Sequence, residues 1–161
     1  AALTQNAVQA AVFNEPLSTL TVTKHKMNLL ADLANLDLPF PNTDYIVRRE
    51  HLQSHREQVV SFMKAILEGM QALKANRPLG IHAIQKYLKM NSAEEAGIAY
   101  DYYVGQKMGQ IPEIPSRAAL LAGIEQTVGK KDGVTPEALR LTDRSVLEEV
   151  IKTGFVSSLY K

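Results

Sequence analysis

A helix-dominated α/β fold is predicted by three features of the sequence. Short apolar runs closed by turn residues occur only ahead of Arg48, helical periodicity begins near Ser54 and recurs to the C-terminus, and capping residues punctuate the helical part. The chain has 161 residues, 45% hydrophobic and 22% charged, which excludes disordered, collagen-like and low-complexity classes. A compact chain of this length buries roughly 70% of the surface its unfolded form exposes, so a core without covalent staples is feasible.

The elements follow in order. Gln9-Ala10-Ala11-Val12-Phe13 is an apolar run ended by Asn14-Glu15-Pro16, and Met27 to Leu33 is a second; Leu17 to Lys26 carries a helix between them, so the segment reads strand, helix, strand. Pro39 and Pro41 fix φ and disfavour helix in the residues before them, which places a boundary there. Tyr45-Ile46-Val47 is one more short strand, between the turn residues Asn42 and Asp44 and the charged Arg48-Arg49-Glu50. Ser54-His55-Arg56-Glu57 reads as a capping box. Behind it Val59, Phe62, Met63, Ile66, Leu67, Met70 and Leu73 share one helix face. Burying those side chains is worth on the order of 10–20 kcal/mol, against about 20–40 kcal/mol for ordering the backbone, so this helix needs a partner surface.

Pro78 opens a helix to about Met90, with Ile81, Ile84, Tyr87 and Leu88 inward. Ser92-Ala93-Glu94-Glu95 is a second capping box, leading to Ile98, Tyr102 and Tyr103; Pro112 and Pro115 end that region. Ser116 to Val128 carries Leu120, Leu121, Ile124 and Val128, and Gly129-Lys130-Lys131-Asp132-Gly133 is a loop. Thr135-Pro136 sets an N-cap with proline at the first helical position. Asp143 caps a last helix through Val146, Leu147, Val150 and Ile151, with Gly154 placed to end it. The total is about six helices against two or three short strands near the N-terminus, with no internal repeat.

Composition narrows the function. There is no cysteine, which excludes a disulfide framework, a cysteine metal site and a thiol nucleophile. Eighteen Lys and Arg against seventeen Asp and Glu leave a formal charge of +1, so no broad electrostatic reason exists to bind nucleic acid or an anionic membrane. Ala1-Ala2-Leu3-Thr4-Gln5-Asn6 has neither the charged nor the apolar region of a signal peptide, and the absence of an initial Met fits a processed, trimmed or fragmentary chain.

Few residues suggest chemistry. His51 and His55 have the four-residue spacing of a helical metal pair, but Ser54 as an N-cap puts them on opposite sides of a helix start, and no metal site is expected. His25 and His82 read as isolated structural histidines. Gly129 to Gly133 has the glycines and lysines of a phosphate loop without its Gly-Lys-Ser/Thr ending, and reads as a surface turn. Tyr100, Tyr102 and Tyr103 are either a stacking platform or, more simply, packing anchors. Arg140, Arg144 and Glu148 form a solvated face. No nucleophile elbow or His-Glu-x-x-His sequence is present, so no catalytic residue and no cofactor is expected. Asn14-Glu15-Pro16 stands out by position: a polar pair after an apolar run, with proline opening the next helix, is either a ligand contact or a helix cap.

Ala7 to Pro16, Leu29-Leu30-Ala31-Asp32-Leu33, Pro39-Phe40-Pro41-Asn42-Thr43, the Val59 to Leu73 helix with Leu67-Glu68-Gly69, and Asp143 to Leu147 closing on Gly154-Phe155 together resemble the solute-binding proteins of ABC importers. The branch is that of binders of nitrate, sulfonates and thiamine-pyrimidine precursors. The resemblance implies the helix-rich, C-terminal half of a two-lobed periplasmic-binding-protein-like α/β fold: residues 1–43 as the tail of one lobe plus the return crossover, and 44–161 as the C-terminal helical part of the other. It implies non-catalytic binding of a polar or nitrogen- or sulfur-containing small molecule between lobes, an ABC permease as partner, and a periplasmic or membrane-associated extracytoplasmic location. In the family the turn matching Asn14 and Glu15 faces the cleft, which marks these two as ligand-side residues; members usually carry Asp where this chain has Gln9. Alternatives are a self-associating helical module, forming a homodimer through a face exposed by a missing half, a degenerate or truncated product with no function of its own, and a thiamine-pyrimidine-synthase-like enzyme, disfavoured because its cysteine-rich motif has no counterpart.

Overall fold

The computed structural model describes residues 2–33, 36 and 44–161. Of the described residues 61% are helical and none is in a strand. The helices in chain order are α1 (Leu17–His25), α2 (Arg49–Ser54), α3 (Arg56–Ala75), α4 (Arg77–Leu88), α5 (Ala93–Tyr100) continued by a π-helical segment (Asp101–Lys107), α6 (Arg117–Val128), α7 (Pro136–Leu139), α8 (Ser145–Lys152) and α9 (Phe155–Leu159).

The α/β expectation is therefore corrected. Gln9 to Phe13, Met27 to Ala31 and Tyr45 to Val47 are irregular, not strands. An apolar run signals burial, whereas a strand also requires a second segment to complete its ladder of hydrogen bonds, and none is paired here. The runs are exposed instead: Val12 is 80% accessible, Leu30 83% and Ile46 94%. The proline boundary at Pro39 and Pro41 lies outside the described residues.

Local signals set the helices. Asn76, Ser92, Ser116 and Thr135 each accept a hydrogen bond from the backbone N–H three residues on, satisfying donors that have no partner inside the helix. Pro78 and Pro136 sit in first turns, where their missing N–H costs nothing. Lys26, Lys89 and Arg140 close α1, α4 and α7 in the left-handed region, and Gly154 does so between α8 and α9.

The residues form two compact units, residues 1–33 with 70–108 and residues 34–69 with 109–161, the division falling inside α3. In the first unit, α4 packs on α5 through Gly80, whose bare Cα lets the Tyr100 ring lie against the helix. Tyr100 is buried, donates its hydroxyl to the Leu73 carbonyl at 2.8 Å and carries the Arg77 guanidinium 5.5 Å from its ring centroid. Arg77 grips Asp101 with Nε to Oδ1 at 3.0 Å and Nη2 to Oδ2 at 2.8 Å. That fork holds the Asp101 carboxyl below its ordinary pKa.

In the second unit the core is Leu67 of α3 with Leu147 and Val150 of α8, flanked by Val60, Met63, Ile114, Phe155, Val156 and Leu159. Leu67 and Val150 are fully buried, while Phe62, expected on the same face as Leu67, is 51% exposed and meets Tyr45 edge to face. Arg56 binds Glu149 at 2.7 Å, and Arg117 binds Glu137 at 2.7 Å. No helix among the described residues is long and apolar enough to cross a membrane.

Candidate functional site

Pro16, which ends the Asn14–Glu15 turn, lines the groove described below; Asn14 and Glu15, expected as ligand-side residues, are not among its lining residues. The Glu15–Pro16 peptide bond is cis. The Glu15 carboxylate accepts the Thr19 N–H at 3.2 Å, so its side chain serves as a cap for α1. The Glu15 carbonyl accepts the Tyr103 hydroxyl at 3.0 Å, tying the turn to the π-helical segment. Desolvation, then the neighbouring Tyr102 and Glu15, push the Tyr103 phenol above its ordinary pKa. Asn14 is exposed, and its carbonyl accepts the Ser18 N–H.

Directly after this turn a groove of about 540 Å³ opens, lined by Pro16, Leu17 and Leu20 of α1, the connection Leu88 to Ser92 and Glu95 of α5. Leu20 forms its buried floor, and Asn91, Ser92 and Glu95 provide polar groups at its margin. Lys24 crosses from α1 to Glu95 at 3.1 Å and Glu94 at 3.7 Å. These carboxylates raise the Lys24 pKa, the Glu95 hydrogen bond contributing most, so the lysine is cationic at neutral pH. The result is an open, mostly apolar groove with an amide, a hydroxyl and an ion pair on one margin, a chemistry suited to a small molecule with an apolar body and one polar end.

The other candidates are distributed more plainly. Tyr102 and Tyr103 meet edge to face at 5.1 Å, and Tyr100 is a packing anchor, so the three are not a stacking platform. Gly129 to Gly133 is an exposed turn with Gly129 and Gly133 at positive φ. His25 and His82 are exposed. Arg140 lends its carbonyl, with that of Leu139, to the Arg49 guanidinium.

Ser54 differs from its expected role. Its hydroxyl bonds the Glu50 carbonyl one turn back, because the chain is already helical there, and it does not cap α3. His51 and His55 consequently lie on one side of the same turn, their rings 4.6 Å apart and 10° from parallel. Among the described residues no group of three or more His, Asp or Glu side chains converges as a metal cluster.

Of the two roles expected for Asn14 and Glu15, ligand contact or helix cap, the geometry displays the cap at Glu15; the groove's second wall carries no mark in the first forty residues. The signal was available in the connection between α4 and α5: Leu88 and Met90 beside the Ser92 cap put apolar side chains at a helix junction.

Fold and site together define a helical protein with an open, mostly apolar groove beside a helix-opening turn. No family model, curated protein or solved structure matches the chain.

Proposed function

We propose that the chain binds a small organic solute without chemistry, as a component of ABC-type import, and that the groove beside the Glu15–Pro16 turn contributes to the binding surface. The observation that supports this reading is positional: the turn singled out by its resemblance to the cleft-facing turn of solute-binding proteins adjoins a groove of about 540 Å³, within the roughly 300–1,000 Å³ range of small-molecule sites. Leu17, Leu20 and Leu88 take the apolar part of the ligand and Asn91 pairs with a donor or acceptor, while Asn14 and Glu15 precede Pro16 and do not line the groove. A molecule touching both α1 and the α4–α5 connection favours whichever arrangement grips it best, and that bias is what a membrane permease reads. The extracytoplasmic location belongs to the same proposal.

Thermal shift and calorimetric titration with nitrate, an alkanesulfonate and an aminopyrimidine test it. A ligand at one hundred times its Kd stabilises by about 2.7 kcal/mol, which raises the melting temperature of a chain this size by roughly 5–11 °C. Leu88→Glu and Asn91→Ala should remove the response. No shift with any of the three probes, or a shift that survives Leu88→Glu, overturns the reading.

The exposed apolar side chains of Val12, Leu30 and Ile46 favour a second reading, a self-associating module. Sedimentation over a hundredfold concentration range distinguishes them: a weight-average mass rising above 17.8 kDa supports association, and a constant one rejects it.

A further inference from the structure

We propose that His51 and His55 form a two-imidazole site for a divalent transition-metal ion at the junction of α2 and α3. Three observations carry it. The rings share one side of a continuous turn, with His55 N–H bonded to the His51 carbonyl at 2.8 Å, and stand 4.6 Å apart. The rings stack 10° from parallel, so one must turn for both to reach one ion; His51 is exposed and turns about its soft terminal torsion at little cost, while His55 keeps its bond to Ser54.

The second observation is protonic. Ser54 Oγ lies 2.8 Å from the Glu50 carbonyl and 2.7 Å from His55 Nδ1. A serine hydroxyl has one proton, and the carbonyl can only accept, so that proton goes to Glu50. The hydroxyl oxygen then accepts from His55 Nδ1–H. This leaves the His55 lone pair on Nε2, the atom a metal takes when the other ring nitrogen is held by a hydrogen bond.

The third is electrostatic. Two of the three guanidiniums nearest in sequence are engaged elsewhere, Arg49 on the carbonyls of Leu139 and Arg140 and Arg56 on Glu149 and Ser145, and Glu50 and Glu57 flank the pair in sequence and offset the third, Arg48. Two imidazoles with water in the remaining positions suit Cu²⁺, Ni²⁺ or Zn²⁺ over Mg²⁺ or Ca²⁺. The ion ties the last turn of α2 to the joint residue itself, His55, which leaves helical geometry at φ −131°, ψ 41° before α3 begins.

The test is calorimetric titration of NiCl₂ into the untagged full chain in a non-chelating buffer. One equivalent binds, and His51→Gln and His55→Gln each weaken it at least tenfold, while His25→Gln and His82→Gln do not. Ser54→Ala weakens it by about tenfold, the scale of losing a group that orients a ligand. Binding that persists unchanged in the His51→Gln, His55→Gln double variant, or moves with His25 or His82, overturns the site. Imidazole NMR of the unaltered protein gives a second reading: Cu²⁺ broadens the His51 and His55 ring signals first if the proposal holds, and uniform broadening of all four histidines refutes it.

Discussion

Gly80→Ala sets two opposing effects against each other at one atom. In an unobstructed helix interior, alanine is favoured over glycine by about 1 kcal/mol, because glycine loses more backbone freedom on folding. At Gly80 the new Cβ would lie 2.6 Å from Tyr100 Cδ2 and nearer still to Cε2, well inside contact distance. The ring has little freedom to yield, being 6% exposed and tied to the Leu73 carbonyl, with Arg77 over its face. Overpacking of this kind costs about 1–3 kcal/mol, and swinging the ring aside gives up a hydrogen bond worth about 0.5–1.5 kcal/mol. The clash wins, for a net loss of about 1–3 kcal/mol and a melting temperature lower by roughly 3–9 °C. Gly69→Ala, also inside a helix but with nothing within 4 Å of its Cβ, should gain up to about 1 kcal/mol. Circular-dichroism melts of the two variants beside the parent decide the matter. A Gly80→Ala protein as stable as the parent would refute the packing of α4 on α5.

Other outcomes follow from single contacts. Leu67→Ala, at a fully buried site, should cost about 2–5 kcal/mol by urea unfolding, and Phe62→Ala clearly less, since half of Phe62 is already wet. Thr135→Ala removes the cap of α7 and should lower the urea midpoint by an amount matching about 0.5–2 kcal/mol. The Asp101, Glu137 and Asp143 carboxyls all have pKa values depressed on folding, by Arg77, by Arg117, and by the Ser145 hydroxyl and N–H respectively. A depressed carboxyl stabilises fully above its unfolded pKa and loses that contribution as pH falls through the folded one. Calorimetric melting temperatures should therefore fall as the pH drops below the ordinary carboxylate range, and Glu137→Gln should reduce that fall; a melting temperature independent of pH down to 3 contradicts the pairs.

Helices were legible because their signals are local. Ser92, Thr135, Pro136 and Gly154 act within one turn of themselves, and each does in the structure what its sequence position implies. Strands were misjudged because a strand is a relation between segments: Val12, Leu30 and Ile46 are apolar enough to be buried but have no ladder to join. Ser54 was misjudged because two helical turns compete for one hydroxyl, and the turn behind it prevailed. The turn at Asn14 and Glu15 was visible as a polar break before a proline, and its capping half is what the geometry displays. The opposite wall of the groove depends on how α1 meets the α4–α5 connection, and the Gly80–Tyr100 approach depends on two helices far apart in sequence.

Lys26, Lys89 and Arg140 each close a helix with φ near 50°, a conformation that costs a residue with a Cβ roughly 1–2 kcal/mol. Their positive charges recover about 0.3–1 kcal/mol from the carbonyl end of the helix dipole. Glycine would relieve that strain but give up the charge contribution and, being freer in the unfolded chain, about 0.5–1 kcal/mol more, so the exchange is nearly even and these are places where sequence can drift without the architecture noticing. At Lys89 that neutrality is useful. Its side chain lines the groove while its backbone makes the turn, and Lys89→Gly therefore separates recognition from folding in a way that few substitutions near a binding surface allow.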